Sequence, residues 1–544
     1  MRRRFTWMLT ALMVVLAGCG PSRPLTLERV NEEVVILDPQ QQAQYLRRKS
    51  SADRVGDVTS LEGADATPVS WYSLVVGLQG TGSGVIPELP PGTLGPDTSL
   101  KNELLKSLYR SNVSGSPMAV LQSKDTAAVL VQGFVPPLVR GNQRFDIEVN
   151  ALGGAKSLEG GVLMSTPLRQ LLQRRGGGAE YGDIWAYAEG KLSQSPGRVA
   201  FGVAPVTDPA VGYVPAGAAS SVTGFLVLRL RRPDAYTASL LLLIINDRFP
   251  GCPTLLTPQA LRITVPEHYQ NEWQRFVQVL PEVRCRPPRG RFLRTYINGL
   301  VHNLTGDDRP LAEQASYQLE ALGPESVPAL EGALRSLRPS TQLLAACTLA
   351  AMREPAGITP LMQIVELGAD ADRRVAARYL NFYSQQNVRD LEKKLLADRD
   401  PEVRYRALRG LEQTQEDAAY STREGARGED FSITRVQSAG TAALVVKARS
   451  PRRLVFFGPD LTFRPPFKQQ QTKDLQVEAK DNTRVVIDYR VYEQTTQLPV
   501  NSMQVLDLIR ALDHINVPVS DIVDLIFKLS RADTIGGEVV FLDE

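Results

Sequence analysis

Residues 124–168 of the chain read KDTAAVLVQGFVPPLVRGNQRFDIEVNALGGAKSLEGGVLMSTPL, and they predict β-strands separated by proline and glycine turns. Apolar and polar residues alternate along Phe145–Val149, so one face of this strand is expected to be buried and the other wet. Pro136-Pro137 cannot extend a strand ladder and should end the preceding strand. Gly153-Gly154 and Gly160-Gly161 permit positive φ at strand ends. These residues indicate architecture rather than catalysis.

Strand patterns continue on both sides of this stretch. Ser73–Leu78, Ala127–Val131 and Phe225–Leu230 are rich in β-forming residues, with glycine and proline between them. We therefore assign residues 69–290 to one strand-rich module.

The next block, residues 306–414, is helical and repetitive. An alanine recurs at intervals of 31, 30 and 31 residues, and a leucine follows it about one turn later. The recurring residues are Ala315, Ala346, Ala376 and Ala407, then Leu319, Leu349, Leu380 and Leu411. This period is typical of a helical solenoid and resembles the short HEAT-like repeats. The array could bind an unknown protein partner or serve only as a spacer. Cys347 lies in an apolar run, so we expect a buried thiol.

A polar linker at residues 415–432 precedes a C-terminal α/β segment at 433–544. Two apolar helices are expected on either side of Pro518, with Ser520 as the N-cap of the second, and Glu538–Leu542 forms the last strand. The predicted fold class is α+β: a strand-rich module, an inserted helical solenoid and this closing segment.

The N-terminus predicts export. A basic start and the apolar run Phe5–Leu16 lead into Leu-Ala-Gly-Cys, which resembles a bacterial lipobox ending at Cys19. Residues 1–19 are thus a lipoprotein signal peptide, Cys19 is the lipidation site, and residues 20–68 are a tether. The alternative is an ordinary signal peptide with an incidental cysteine. Gly20 favours anchoring in the outer membrane, because an aspartate there would signal inner-membrane retention.

Composition excludes several function classes. The chain has 544 residues with 62 Lys and Arg against 59 Asp and Glu, which gives no electrostatic case for nucleic acid. Its three histidines and four cysteines have no metal-ligand spacing, so we expect no metal and no cofactor. The glycine-rich residues 78–84 resemble a phosphate loop only weakly, since no Gly-Lys-Ser/Thr follows. No catalytic residues emerge.

The motifs, taken in order, resemble the flagellar basal-body P-ring protein family. The resemblance rests on residues 124–168, on VVGLQGTG at 75–82 and on further motifs downstream. Those further motifs are WAYAEG at 185–190, VPAG at 214–217, RPD at 232–234 and INDRF at 245–249. It extends over roughly 55–287 and 440–544. The lipobox and the helical array depart from the family pattern.

This resemblance implies a non-enzymatic, homo-oligomeric subunit of a periplasmic ring that acts as a bushing around the flagellar rod. The implied partners are other copies of the chain, the flagellar rod and outer-ring proteins, with the lipid anchor in the membrane. The alternative is a non-flagellar envelope scaffold that presents its helical repeats to a protein partner. Lys124, Arg144 and Lys156 lie in the densest part of the motif and are candidate ring or rod contacts, or else solvated surface charges.

The cysteines predict one disulfide. With Cys19 lipidated, Cys252 and Cys285 remain in the strand-rich module of an exported protein. A strand and a helix between them return the chain, which makes a bridge feasible. The alternative is two buried, unpaired cysteines.

Overall fold

The computed structural model describes residues 26–30, 33–37, 54–89, 93–94, 99–110, 116–173, 179–193, 208–286, 288–426, 431–448, 451–472, 475–491 and 494–542. The chain divides into two compact units. Unit 1 comprises Met1–Glu62 and Leu226–Ala333, and unit 2 comprises Gly63–Phe225 and Leu334–Glu544. Both strands and helices are abundant, which confirms the predicted α+β class.

The strands, in chain order, are β1 (Thr26–Val30), β2 (Glu33–Leu37), β3 (Thr59–Glu62), β4 (Thr67–Val76), β5 (Thr126–Val135), β6 (Arg144–Ala151), β7 (Val162–Gln173), β8 (Ala179–Lys191), β9 (Val211–Ser220), β10 (Leu226–Leu230), β11 (Pro253–Thr257), β12 (Ala260–Ile263), β13 (Ser421–Ala426), β14 (Phe431–Val436), β15 (Ala443–Lys447), β16 (Arg452–Phe457), β17 (Thr462–Phe463), β18 (Phe467–Thr472), β19 (Leu475–Ala479), β20 (Val485–Val491), β21 (Gln494–Val500), β22 (Ile535–Gly536) and β23 (Glu538–Leu542).

The α-helices are α1 (Val55–Val58), α2 (Leu100–Arg110), α3 (Pro117–Gln122), α4 (Ala235–Arg248), α5 (Trp273–Val279), α6 (Arg291–Leu304), α7 (Arg309–Leu322), α8 (Val327–Ala333), α9 (Pro339–Ala351), α10 (Ile358–Leu367), α11 (Asp370–Leu380), α12 (Gln386–Leu395), α13 (Pro401–Gln413), α14 (Val505–His514) and α15 (Val519–Arg531). None of the helices in the described ranges combines the length and the apolar character needed to cross a membrane.

Unit 1 contains a four-stranded antiparallel sheet in the order β11-β12-β10-β3, and the hairpin β1-β2. The backbone that follows α5 pairs with the start of α1, where Val55 N donates to Val283 O at 2.9 Å. The helices α6, α7 and α8 complete this unit.

Unit 2 contains a closed six-stranded barrel in the order β4-β5-β6-β9-β8-β7, in which every neighbouring pair is antiparallel. The predicted alternation is confirmed, since Phe145, Ile147 and Val149 are 4%, 2% and 0% exposed and enter the barrel core. Val135 ends β5 directly before Pro136-Pro137, as predicted. Closure leaves the barrel without a free strand edge.

The C-terminal part of unit 2 builds a second core. A mixed sheet runs in the order β13-β14-β16-β15-β23, and a four-stranded antiparallel sheet runs β18-β19-β20-β21. Apolar residues of both sheets pack with the buried stripes of α14 and α15. The two predicted helices and the last strand are therefore confirmed.

Three local predictions are wrong. The predicted tether includes the strands β1, β2 and β3, the helix α1 and the start of β4, and residues 421–426 of the predicted linker form β13. A polar strand at the edge of a sheet carries no apolar alternation, so its sequence is like that of a linker. Ser520 does not cap α15, because the helix already starts at Val519 and Pro518 occupies the N-cap position.

The predicted positive φ is confirmed at three of the four glycines. Gly153, Gly154 and Gly160 have φ of 83°, 84° and 78°. Gly161 is instead required by packing, because a Cβ there would lie 2.4 Å from Cγ1 of Val75.

The recurring alanines and leucines of the repeats lie on α7, α9, α11 and α13, and each is at most 1% exposed. Within unit 2, α9 packs against α11 and α11 against α13. Helices begin before the predicted start at 306, because Ile297, Leu300 and Leu304 form a buried stripe on α6. Cys347 on α9 is 3% exposed.

Candidate functional site

The glycine-rich loop at residues 78–84 lies at the barrel end where β4 stops and β5 starts. Gly80 N donates to Oδ1 of Asp125 at 2.6 Å, and Gly82 N donates to the carbonyl of Lys124 at 2.7 Å. Gly84 N donates to Thr126 O at 3.4 Å. In a phosphate-binding loop, backbone amides such as these would donate to the ligand. Here they donate to other residues of the protein.

Two of the three predicted contact residues lie beside this loop. The Lys124 carbonyl accepts the bond from Gly82, and Lys156 N donates to Thr81 O at 2.8 Å. Both lysine side chains are exposed. Gly82 cannot carry a side chain, because a Cβ there would lie 2.4 Å from Thr126 O. The loop thus holds the two lysine-bearing segments together through backbone bonds.

Arg144, the third predicted residue, is not part of that cluster. It begins β6, and its Nη1 donates to Ala216 O at 3.2 Å. Ala216 N donates to Oδ1 of Asp146 at 2.8 Å, and Ala216 has a φ of 50°. The register between β6 and β9 shifts at this point, so residues 214–217 form a bulge. The side chains of Arg144 and Asp146 hydrogen-bond to this bulge.

Asp146 also binds a residue that sequence reasoning missed. Nη2 of Arg452 lies 2.7 Å from Oδ2 of Asp146, and the Arg452 side chain is 3% exposed. This ion pair joins β16 to the barrel within unit 2. The available sequence signal was the Arg452-Arg453 pair at the start of an apolar strand, since buried charges need partners.

A second polar contact joins the same parts of unit 2. The Ser193 hydroxyl donates to Oδ1 of Asp521 at 2.7 Å. Burial raises the pKa of Asp521 to about 6, and the bond from Ser193 partly opposes this shift. Lys528 and Lys191 also favour the ionised carboxylate.

The predicted disulfide is not formed in the structure. Cys252 is a buried thiol, and burial raises its pKa to about 12. The Cys252 carbonyl accepts a hydrogen bond from Thr264 N. Arg284, next to Cys285, instead forms an antiparallel backbone β-bridge with Arg54. The intervening strand and helix therefore return the chain to the segment at the start of α1. Cys19 lies outside the described residues.

Within the described ranges, no group of three or more His, Cys, Asp or Glu side chains is arranged to hold a metal ion.

Comparison with known proteins gives one family. The family described as "Flagellar P-ring protein" matches residues 54–292. This range contains the whole barrel and the sheet of unit 1, and it agrees with the first of the two regions of predicted resemblance. The resemblance predicted for residues 440–544 stays a prediction.

Several curated relatives bear the name flagellar P-ring protein. The protein of Thiobacillus denitrificans is 34% identical over 217 residues, which cover 38% of this chain and 54% of that protein. The protein of Geotalea uraniireducens is 30% identical over 248 residues, 43% of this chain and 62% of that protein. The protein of Aquifex aeolicus is 32% identical over 228 residues, 40% of this chain and 57% of that protein. The chain thus spans between half and two thirds of the length of these relatives.

A solved structure, the complex of CpcE and CpcF of phycocyanin lyase from Nostoc sp. PCC7120, covers 23% of this chain and 80% of its own at 22% identity. Its TM-score of 0.20 is too low to establish a common fold. The family match falls on the region whose motifs carried the resemblance. The matches therefore confirm the predicted resemblance to flagellar P-ring proteins, and the matching family model spans residues 54–292 of this chain.

Proposed function

We propose that this protein is a structural, non-enzymatic subunit of a periplasmic ring around the flagellar rod. The observation that carries the proposal is the family match over residues 54–292, which includes all six strands of the barrel. The name of the relatives favours this function over the non-flagellar scaffold considered as an alternative.

The fold suits a load-bearing ring. A closed barrel has no free strand edge, so contacts made by the barrel itself must use loops and side chains rather than added strands. The backbone bonds around the glycine loop give the barrel end that carries Lys124 and Lys156 a defined conformation. A rigid surface loses little entropy when it binds a partner, which favours ordered assembly.

Lys124, Lys156 and Arg144 are the proposed ring or rod contacts. Lys124 and Lys156 are exposed next to one loop, where they can meet acidic groups of a neighbour. Arg144 belongs to the other cluster and also supports the bulge of β9. The expected partners are further copies of this chain, the flagellar rod and outer-ring proteins.

The location follows from the same proposal together with the N-terminus. We expect the subunit in the flagellar basal body of the periplasm, with a lipid on Cys19 that anchors it in the outer membrane. The helices between the family region and the C-terminal segment are proposed to form a HEAT-like array that binds a further protein.

Electron microscopy of basal bodies tests the proposal. Basal bodies purified from cells with the gene should carry ring density that labels with an antibody to this protein. Cells without the gene should lack that density, and a plasmid copy should restore it. Complete rings in the deletion strain would contradict the proposal.

A further inference from the structure

A cleft of about 820 Å³ lies within unit 2, between the β9 bulge and the start of β16. Its volume is in the range of ligand sites in proteins, roughly 300–1,000 Å³. Barrel residues 140–144, 189–191 and 214–217 form one side, and residues from the C-terminal segment form the other. The proposed ring contacts at the glycine loop do not line it.

The charge of the cleft is positive. Arg140, Arg144, Lys191 and Arg452 line it, against the single carboxylate of Glu189. The first three side chains are exposed; Arg140 and Lys191 can turn towards a ligand, and Arg144 reaches the cleft from its contact with the bulge. Guanidinium groups bind carboxylates through paired, charge-assisted hydrogen bonds.

Arg452 gives a second, independent indication of a ligand. Its side chain is 3% exposed, and one nitrogen, Nη2, is held by Asp146. Its Nε has no hydrogen-bond partner within the described part of the chain. A buried guanidinium nitrogen without a partner is costly, so a ligand acceptor in the cleft would complete its bonding.

Apart from Asn142 and Gln143, the remaining lining is apolar or glycine. It includes Val214, Pro215, Pro451, Pro518 and Val519. A small inorganic anion would leave these side chains uncovered and most of the volume unfilled. A peptide supplies both carboxylates and apolar groups, and it fits a cleft of this size.

We propose that the cleft binds an acidic peptide segment of a partner protein. Its carboxylates pair with Arg140, Arg144 and Arg452, and its apolar side chains cover the prolines. The cleft lies within one subunit, so peptide binding can be measured without ring assembly, although Arg144 is also a proposed ring or rod contact.

Fluorescence anisotropy with the full-length protein tests this inference. The probe is a fluorescein-labelled hexapeptide with four Glu and two Leu, and the control peptide has Gln in place of Glu. The Glu peptide should bind at least about tenfold more tightly, the effect of one charge-assisted hydrogen bond. Binding should weaken as NaCl is raised.

Two double variants locate the site. Arg140→Gln with Arg144→Gln should weaken binding of the Glu peptide at least about tenfold. Lys101→Gln with Arg110→Gln removes two exposed cations from α2 and should change the affinity less than twofold. If the Arg140→Gln/Arg144→Gln variant does not fold, the single variant Arg140→Gln takes its place in the binding assay. This variant leaves the contact of Arg144 with the bulge intact.

Three results would overturn the proposal. One is equal affinity for the Glu and Gln peptides, and another is equal loss in the two double variants. The third is displacement of the Glu peptide by inorganic phosphate at equal concentration, which would indicate a small-anion site.

Discussion

Arg275 and Glu320 form an ion pair that is almost fully buried. Nη2 of Arg275 lies 2.6 Å from Oε2 of Glu320, and the two side chains are 7% and 0% exposed. Tyr269 donates its hydroxyl to Oε1 of Glu320 at 2.5 Å. Burial raises the pKa of Tyr269 well above its usual value, so the hydroxyl keeps its proton. The pair joins α5 of the family region to α7 of the repeats within unit 1.

Replacing Glu320 with Gln should destabilise unit 1 by about 3–5 kcal/mol, because it leaves the Arg275 charge buried without its counter-ion. The free energy of unfolding from urea titrations measures the effect. Glu313→Gln on the same helix is the control, since its pair with Arg309 is 40% and 86% exposed and contributes at most about 1 kcal/mol. Equal losses in both variants would contradict this account.

Asp521→Asn should change how stability depends on pH. The folded pKa of about 6 lies above the usual 3.8, so the folded state disfavours the ionised carboxylate. The contribution of Asp521 is therefore present at low pH and is lost as pH rises through about 6. The loss amounts to roughly 3 kcal/mol for a shift of about two units.

The Asn variant cannot ionise, so its stability relative to the wild type should rise between pH 4 and 7. Thermal unfolding at a series of pH values checks this. Asp533→Asn changes a side chain that is 88% exposed and serves as the control. A constant difference between the wild type and the Asp521 variant would refute the prediction.

Lys124→Glu and Lys156→Glu should each impair ring assembly while the thermal midpoint of the purified protein stays nearly unchanged. Both side chains are exposed, and surface substitutions usually change stability by no more than about 0.5 kcal/mol. Lys101→Glu, on α2, is the matched control and should assemble normally. Ring density in basal bodies is the readout, and normal rings in both variants would remove these lysines from the interface.

Cys19→Ser should release the protein from membrane fractions, because the thiol is the proposed attachment site of the lipid. Metabolic labelling with a radioactive fatty acid should mark the wild type and leave the variant unlabelled. If both proteins fractionate alike and neither carries label, the signal peptide is of the ordinary, non-lipidated kind.

Sequence patterns correctly predicted the features that depend on a single strand or helix. The alternation at Phe145–Val149 predicted a half-buried strand, and the period of the alanines and leucines predicted buried helix faces. Both patterns follow from the geometry of a single strand or helix, so they are visible without knowledge of any partner.

The segments that were predicted wrongly owe their conformation to contacts with elements distant in sequence or adjacent in the sheet. β13 is a strand only because β14 pairs with it, since its own residues are polar. Cys252 and Cys285 were expected to meet because the chain returns after a strand and a helix. It returns to α1 instead, a pairing that no spacing between the cysteines reveals.

The sequence by itself determined the α+β class, the strands around residues 124–168, the helix pattern and the resemblance of residues 54–292 to flagellar P-ring proteins. Only the tertiary structure decided that β4 and β7 close a barrel, and that Asp146 meets Arg452 across 306 positions of sequence. The physical reason is that periodicity reports which face of one element is buried. It carries no information on which distant element covers that face or neutralises its charge.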